Sequence, residues 1–485
     1  MAEGTQARRH EGTQARAGGQ RLTLRRGAHL LVFALVAGVA DPRAVIPPPL
    51  RACVPACLRA CVAANPPAPD AEDEHFTVIR AGHVITNAGP ELQDAVIVLV
   101  NGKVRSVGHG LAYPLNAKVI DARDLTVMPG LINPASRYGL PGYGRGEVHG
   151  NWSVADEYFP APGLYDDLLD AGYTALALIP AGTGIPGRAI VVHTGGPDDQ
   201  RILVSPAYLR VTPDKRIFRT ALEKAQQEIE KVDKARAEFE KKVQEEKKAQ
   251  EQKPAEPDKQ KSASQPASQP ASQPATQPAF QPPPIEPPVQ PLVDLIQKKP
   301  GAFALLELNT AADFVLMGDV LKKFEIAHHF LARNGAESDF EYVVAQMGAK
   351  KLKLILLPLI SRRPSSAERI NLVREFSQAG CEVSLMPLND SPQEHRRLLG
   401  RTAALVREGW SRTEALKAAT LYPARLLGLE ARFGSIEKDK DADLIFLDGD
   451  PLDPATRVRA VMIAGEIVHR VADPEARDPV ARGTD

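Results

Sequence analysis

The spacing of apolar and polar positions divides the chain into three regimes. Residues 76–80, 95–100, 103–107 and 118–121 are short β-prone runs separated by glycine and asparagine turns. Asn101-Gly102 lies between two of them and is a strong signal for a two-residue hairpin. A second regime alternates strand with helix. Residues 165–171 read as helix and 173–179 as a buried strand. Further on, 302–308, 324–331, 352–360 and 381–388 read as strands, with helices over 311–322, 341–347, 367–379 and 394–408. Such alternation is the sign of a parallel α/β fold, and the unbroken apolar run 352–360 suits a strand covered on both faces. Ser411-Arg-Thr-Glu414 has the form of a capping box, and Pro423 that of a proline at the first helical position.

The third regime interrupts the second. Residues 214–253 form a charged helical stretch in which Ile217, Leu222, Ile229, Val232 and Phe239 are widely spaced. Glu and Lys alternate along it, so it reads as a solvated or weakly coiled helix and not as a nucleic-acid patch. Ala-Ser-Gln-Pro repeats over 263–282, then proline-rich sequence to Pro291, predict a disordered or polyproline-like segment. The span 214–292 is therefore expected as an insert, with folding resumed at Val293.

Composition narrows this picture little. The 485 residues suffice for one large domain plus a smaller one, and Lys+Arg equals Asp+Glu at 60 each, so no global charge points to nucleic acid. The N-terminus has the parts of an export signal: Arg21, Arg25 and Arg26 precede an apolar run over 30–40 that ends in small residues. That run is too short to span a bilayer comfortably, and no integral membrane segment is expected in the mature chain. A genuine signal over 1–40 implies a periplasmic or extracellular protein; otherwise the chain is cytoplasmic. Residues 41–75 read as a linker rich in Pro, Ala and Arg. Within it Cys53, Cys57 and Cys61 recur every four residues, a spacing that suits three thiols on one helical face, but Pro55 interrupts the helix and no fourth ligand follows nearby.

Two motifs are set aside. Gly182-Thr-Gly-Ile-Pro-Gly187 spells GxGxxG, yet a β-prone run over 188–194 follows where a dinucleotide site needs a helix, so it reads as a turn. Cys381 lies at the start of an expected strand, away from the end where barrel chemistry occurs, and reads as buried.

The stretch 126–139 carries a more specific signal. Pro129, Gly130, Leu131 and Ile132 resemble the first barrel strand of the amidohydrolase superfamily, whose usual form is Pro-Gly-Leu-Ile-Asp, one residue, then His-x-His. Asn133 stands for the aspartate, and Ala135 and Arg137 for the two histidines. The C-terminal run is similar to that superfamily's tail at Glu414-Ala-Leu-Lys-Ala-Ala-Thr420, Pro423-Ala-Arg425, Gly434-Ser-Ile-Glu437, Lys440-Asp-Ala-Asp-Leu-Ile445 and Asp448-Gly-Asp-Pro-Leu452. Asp439 replaces a usual glycine, which implies a turn of different shape. The resemblance implies a (β/α)8 TIM-like barrel over 129–433, a small composite β-sandwich from 76–128 and 434–472, and a tail over 473–485.

Members of the superfamily hold one or two divalent metals with barrel-end histidines, and a final aspartate moves the proton. By position Asp390 matches that aspartate. His193 takes the place of a lysine that ends a strand in one subgroup, and Glu307-Leu-Asn-Thr-Ala311 the place of a strand ending in His-x-His-Arg. The expected site is therefore Asp390 with Arg137, whose positive charge replaces that of a lost metal and pairs with Asp390. His193, His328 and His329 are the candidate ligands for no metal or a single divalent one such as zinc. His328 and His329 are adjacent on a strand, so only one faces the interior. Two functions stay open: a hydrolase acting on carbon–nitrogen bonds other than peptide bonds, and a catalytically inactive protein that binds a small molecule or partner. A small-molecule substrate or ligand is expected in the first case.

Overall fold

The computed structural model describes residues 74–142, 144–251 and 279–471. The expected export signal, the linker with Cys53, Cys57 and Cys61, most of the Ala-Ser-Gln-Pro repeats and the C-terminal tail lie outside the described residues. The first strands are β1 (Phe76–Val84), β2 (Leu92–Val100), β3 (Lys103–Gly108), β4 (Lys118–Pro129), β5 (Leu131–Ser136), β6 (Tyr173–Leu178), β7 (Gly187–Arg188), β8 (Ile190–His193), β9 (Ile202–Val204) and β10 (Leu209–Val211). After the charged helix Lys215–Glu251 come β11 (Ala304–Leu308), β12 (His328–Ala332), β13 (Lys353–Leu356), β14 (Ser361–Arg362), β15 (Arg369–Ile370), β16 (Glu382–Leu385), β17 (Leu444–Leu447), β18 (Val458–Ile463) and β19 (Glu466–Arg470).

Both ends of this chain build one seven-stranded sheet in the order β19-β18-β17-β4-β1-β2-β3. The expected two-layer element takes the form of this single sheet, curled until its hairpin turns meet. Asn101-Gly102 and Ala464-Gly465 both hold positive φ, and Ala442 accepts from Gly465 N while donating to the Gly102 carbonyl. A Cβ on Gly102 would sit 2.1 Å from the Ala464 carbonyl oxygen, so a side chain there would force the turns apart. The curl encloses Ile79, Ile97, Leu99, Val127, Leu444, Phe446 and Met462. Asp439 takes a glycine-like φ of 69° and donates its N–H to the Val104 carbonyl.

Pro129-Gly130 is the step from this sheet into the α/β part, since β4 ends at Pro129 and β5 begins at Leu131. There the strands form a six-stranded sheet, β16-β13-β12-β11-β10-β7, and a four-stranded one, β5-β6-β8-β9. Strands β10, β11, β12, β13 and β16 are parallel, as are β5 and β6. β7 and β8 run antiparallel to their neighbours. The single residue Ala189 separates them and exchanges backbone hydrogen bonds of 2.8 Å with Ala207 and Tyr208, which ties the two sheets together. At the other end β16 comes beside β5. The fold is thus mixed α/β, and its strands do not form one continuous all-parallel ladder.

The antiparallel pair has a simple cause. A parallel connection needs a crossover of a dozen residues or more, whereas only the proline- and glycine-rich residues 179–186 separate β6 from β7. Those residues form the turn expected of the GxGxxG stretch, laid against the loop at 145–153 through backbone pairings Arg145–Gly182, Val148–Ile185 and Ser153–Arg188. A Cβ on Gly182 would come 1.7 Å from the Arg145 carbonyl oxygen. Close backbone approach, not a dinucleotide, accounts for that glycine.

Side chains two apart on a strand share a face. Ile132 and, past a register irregularity in β5, Ala135 share one apolar interior with Ala175 and Ala177 of β6, Val191 of β8, Leu305 of β11, Leu331 of β12 and Ile355 of β13. Residues from the segment 424–433, among them Leu426, Leu427 and Phe433, close it at the N-terminal ends of the parallel strands. A second cluster packs the other strand faces against the helices, where Phe314, Phe330, Phe376 and Leu405 lie. Three local expectations are modified. β13 stops at Leu356, because both amide groups of the Asn334 side chain pair with Leu357 and Pro358 has no N–H to give. The full capping box is at Thr310–Asp313; at Ser411 only the Glu414 N–H is capped, and the Glu414 carboxylate accepts from Tyr422 instead. Pro423 is the third residue of the helix Leu421–Leu426, still within the first turn where no N–H is needed.

Candidate functional site

At the C-terminal ends of the parallel strands the interior changes from apolar to charged. Two residues beyond Ala135, Tyr208, Leu305 and Leu331, on the same faces, come Arg137, Arg210, Glu307 and Arg333. Glu307 is 4% exposed and joins two of the guanidiniums. Arg210 Nε donates to Glu307 Oε1 at 2.7 Å, and Arg333 Nε and Nη2 approach its carboxylate at 3.4 and 3.5 Å. Arg210 also donates to the Pro180 carbonyl, which fixes it to the end of β6. Burial works to raise the Glu307 pKa, but Arg210 and then Arg333 outweigh it and hold the carboxyl below its ordinary range. Beneath the cluster, the Tyr208 hydroxyl donates to the Pro134 carbonyl at 2.8 Å.

Arg137 belongs to the same group of charges. Its pKa is lowered first by burial and next by repulsion from Arg210, against weaker attraction to Asp390 and Glu157. Its Nη2 donates to the Pro141 carbonyl, and its buried Nε has no partner. The expected direct Arg137–Asp390 pair does not form within 4.0 Å. Asp390 Oδ1 accepts instead from Ser136 Oγ at 2.6 Å.

Beside Asp390, His395 is 1% exposed and packs edge-on against Tyr173 and Tyr138. Its Nδ1 faces the Ser391 carbonyl at 2.9 Å and therefore donates, so Nε2 accepts from the Asn133 amide at 3.2 Å. Burial lowers the His395 pKa, in part offset by the Ser391 bond and by Asp390 and Glu394. Ser136, Asp390 and His395 are neighbours but not a nucleophile–base–acid relay, because neither imidazole nitrogen reaches Ser136 or Asp390.

The comparisons with known proteins agree with this layout. The sequence model of the Amidohydrolase family matches residues 382–468, the stretch from β16 through the return to the terminal sheet. The fold matches an amidohydrolase from Thermotoga maritima with a TM-score of 0.60 at 19% identity, covering 81% of this chain and all of that one. The chain thus carries an amidohydrolase-like stretch over residues 382–468 and shares the fold of that Thermotoga maritima protein. It is also similar to N-acetylglucosamine-6-phosphate deacetylase, with 45% identity over 65 residues of the Bos taurus protein and 48% over 60 residues of the Rattus norvegicus one. These matches span only 15% and 13% of those relatives' lengths.

The histidines singled out from the sequence do not share a rim with Asp390. His193 ends β8, but β8 is antiparallel, so His193 pairs with Ala175 near the start of β6, at the rim opposite Asp390. It is buried there, with Nε2 3.0 Å from Asp443 Oδ2 and its ring 6.1 Å from Phe433. His328 and His329 begin β12, also at the N-terminal rim. His328 Nδ1 donates to the Ile326 carbonyl at 2.8 Å, and the His329 ring lies 4.9 Å from that of Phe303. His329 is four residues before Arg333 on the same face, roughly 13 Å lower along the strand. Among the described residues, no three His, Cys, Asp or Glu side chains are grouped so as to hold a metal ion. Cys381 is buried, and burial pushes its thiol up to about 11.

Arg210, Glu307, Arg333 and Ser136 are the rim residues that the sequence reading did not assign a role. Arg333 lies two residues past Leu331, the end of an expected strand, so extending that strand's two-residue period one step would have found it.

Burial pushes the His329 imidazole down to about 4, with Lys353 and His328 adding to the shift. The folded chain therefore keeps it neutral while the unfolded chain takes a proton near pH 6.5. Stability falls as pH drops from about 6.5 towards 4. His329→Leu should shallow that loss, measured as the difference in urea midpoint between pH 7 and pH 5. An unchanged difference would contradict the burial of a neutral imidazole.

Proposed function

We propose that the protein binds a small molecule at the C-terminal rim of an amidohydrolase-type barrel, with guanidinium groups where relatives of the superfamily place metal ligands, and without a metal-activated water. In this reading the six- and four-stranded sheets are the two arcs of that barrel, and its open end carries the site. The observation that supports the reading best is the Arg210–Glu307–Arg333 cluster with Arg137 beside it.

The donor set does not fit a divalent cation. Ala135 has no ligand atom, and three guanidiniums repel a second cation. Both oxygens of Glu307 already face arginines, and one oxygen of Asp390 accepts from Ser136. His395 has both nitrogens committed to Ser391 and Asn133. Fixed positive charge can orient a polar ligand without a metal, because the guanidinium stays protonated and offers several donors in one plane.

The second reading, a hydrolase acting on carbon–nitrogen bonds other than peptide bonds, draws on the amidohydrolase-like stretch over 382–468 and on Asp390 at the C-terminal rim. Turnover separates the two. The full chain, supplied with zinc, should hydrolyse a panel of N-acyl amino acids, N-acetyl sugars and cyclic amides no faster than Asp390→Ala does. Zinc-stimulated hydrolysis that falls by a hundredfold or more in Asp390→Ala would instead establish the hydrolase.

A further inference from the structure

The arrangement of unused donors at this rim carries a statement about the ligand itself, one that rests on the reading of the rim as the ligand site. Arg137, Arg210 and Arg333 stand there with two carboxylates of the rim, Glu307 and Asp390, while Glu157 attracts Arg137 from beyond 4.0 Å. The two acids are unequally engaged. Glu307 is enclosed and neutralises part of the charge of Arg210 and Arg333, whereas Asp390 is turned to Ser136. One positive charge is left without a direct counterion, and it is that of Arg137, which has no carboxylate within 4.0 Å among the described residues.

The hydrogen-bond account agrees with the charge account. Arg137 uses Nη2 on the Pro141 carbonyl, and its Nε is buried without a partner. Arg333 is bonded to Glu307 only through Nε and Nη2, at the long distances of 3.4 and 3.5 Å, and its side chain is 37% exposed. A buried N–H without an acceptor costs free energy, and like charges held together cost more, so this cluster is stabilised by an incoming acceptor of negative charge. A planar or tetrahedral oxyanion matches a guanidinium fork, since two parallel N–H groups reach two oxygens at once. A neutral amide or sugar hydroxyl would satisfy the donors and leave the charge.

We infer that the small molecule held at this rim presents an oxyanion, a carboxylate or a phosphate, to the guanidiniums of Arg137 and Arg333. Glu307 and Arg210 act as positioning residues: the carboxylate keeps Arg333 turned inward, and Arg210 is locked between Glu307 and Pro180. Asp390 then lies on the side of the site towards β5 and β16, beside whatever polar group the rest of the ligand carries.

The test is calorimetric titration of the full chain, after dialysis against a chelator, with inorganic phosphate and with malonate as separate probes at low chloride. At least one should bind saturably, and Arg137→Met should weaken that binding tenfold or more. Because Arg137 neutralises no buried acid, Arg137→Met should fold, which near-UV circular dichroism checks. Arg396→Met, a change at a surface arginine paired with Asp167, should leave the affinity unchanged. Preference for phosphate over malonate, or the reverse, assigns the kind of anion. Absence of binding of both probes to the folded, metal-free protein would overturn this inference, as would binding equal in Arg137→Met and the parent. Binding that requires added zinc and survives Arg137→Met would instead overturn the functional reading on which it rests.

Discussion

Replacing Glu307 with glutamine should destabilise the protein by about 3–5 kcal/mol, the usual cost of leaving the partner of a buried ion pair without its counter-charge. The side chains of Arg210 and Glu307 are 9% and 5% exposed, and Glu307 is also the acid that Arg333 approaches. Glutamine keeps the shape and one acceptor but leaves two guanidiniums facing each other. Chemical denaturation of Glu307→Gln beside Arg210→Met/Glu307→Gln measures this. The double variant should recover part of the loss, because it removes one of the unpaired cations. Equal losses in the two would mean that Glu307 acts by packing and not by charge. The same pair predicts a pH dependence. The carboxyl is held below its ordinary range in the folded state, so its contribution is complete above the unfolded value near 4.3 and is lost as pH falls through the folded value. Glu307→Gln should remove that acid limb.

The second large effect is expected where the terminal sheet meets the α/β part. Asp443 accepts from His193 Nε2 at 3.0 Å through one oxygen and from Ala464 N at 2.9 Å through the other, while its carbonyl accepts from Gly130. One residue thus connects β8 and the β18–β19 turn through its side chain, and the step that follows β4 through its backbone. Asp443→Ala strands one buried donor, His193 Nε2, worth about 1–3 kcal/mol, and removes the acceptor of the part-buried Ala464 N–H. A loss of about 2–4 kcal/mol is expected, with faster amide exchange over residues 458–470 than over β11 to β13. Uniform exchange across both regions would show that the tie is not local. His193→Ala should give a smaller loss, because Asp443 keeps its bond to Ala464.

Much of the architecture was legible because it rests on local rules. The Asn101-Gly102 hairpin, the strands and helices after residue 302 and the tail that returns to the first sheet follow from periodicity and turn chemistry. The strand direction at residues 187–193 was legible too, from the shortness of the 179–186 connection, but a uniform alternation was expected there. That assumption placed His193 at the wrong rim. A histidine that ends a strand lies with Asp390 only if the strand is parallel, and this one is not. His328 and His329 were displaced for a related reason: they open β12 instead of closing it.

That Ala135 and Arg137 stand where the resemblance expects two histidines was plain in the sequence. The companions of Arg137 were not, because Arg210, Glu307 and Arg333 come from three strands separated by the long insert, and only the fold brings their ends together. Arg137 itself was expected to face Asp390 directly. Ser136 intervenes as the partner of Asp390, and the arginine turns to Pro141 and the cluster. The proposed replacement of metal charge by guanidinium charge therefore rests on four strands together and not on one salt bridge.

Metal content tests this account most directly. The full chain, purified from a zinc- and manganese-supplemented culture without chelator, should carry well under about 0.1 equivalent of any divalent transition metal by elemental analysis, and Asp390→Ala should not change that value. Close to one equivalent of zinc or manganese, lost in Asp390→Ala, would contradict the claim that guanidiniums have taken the place of the metal at this rim.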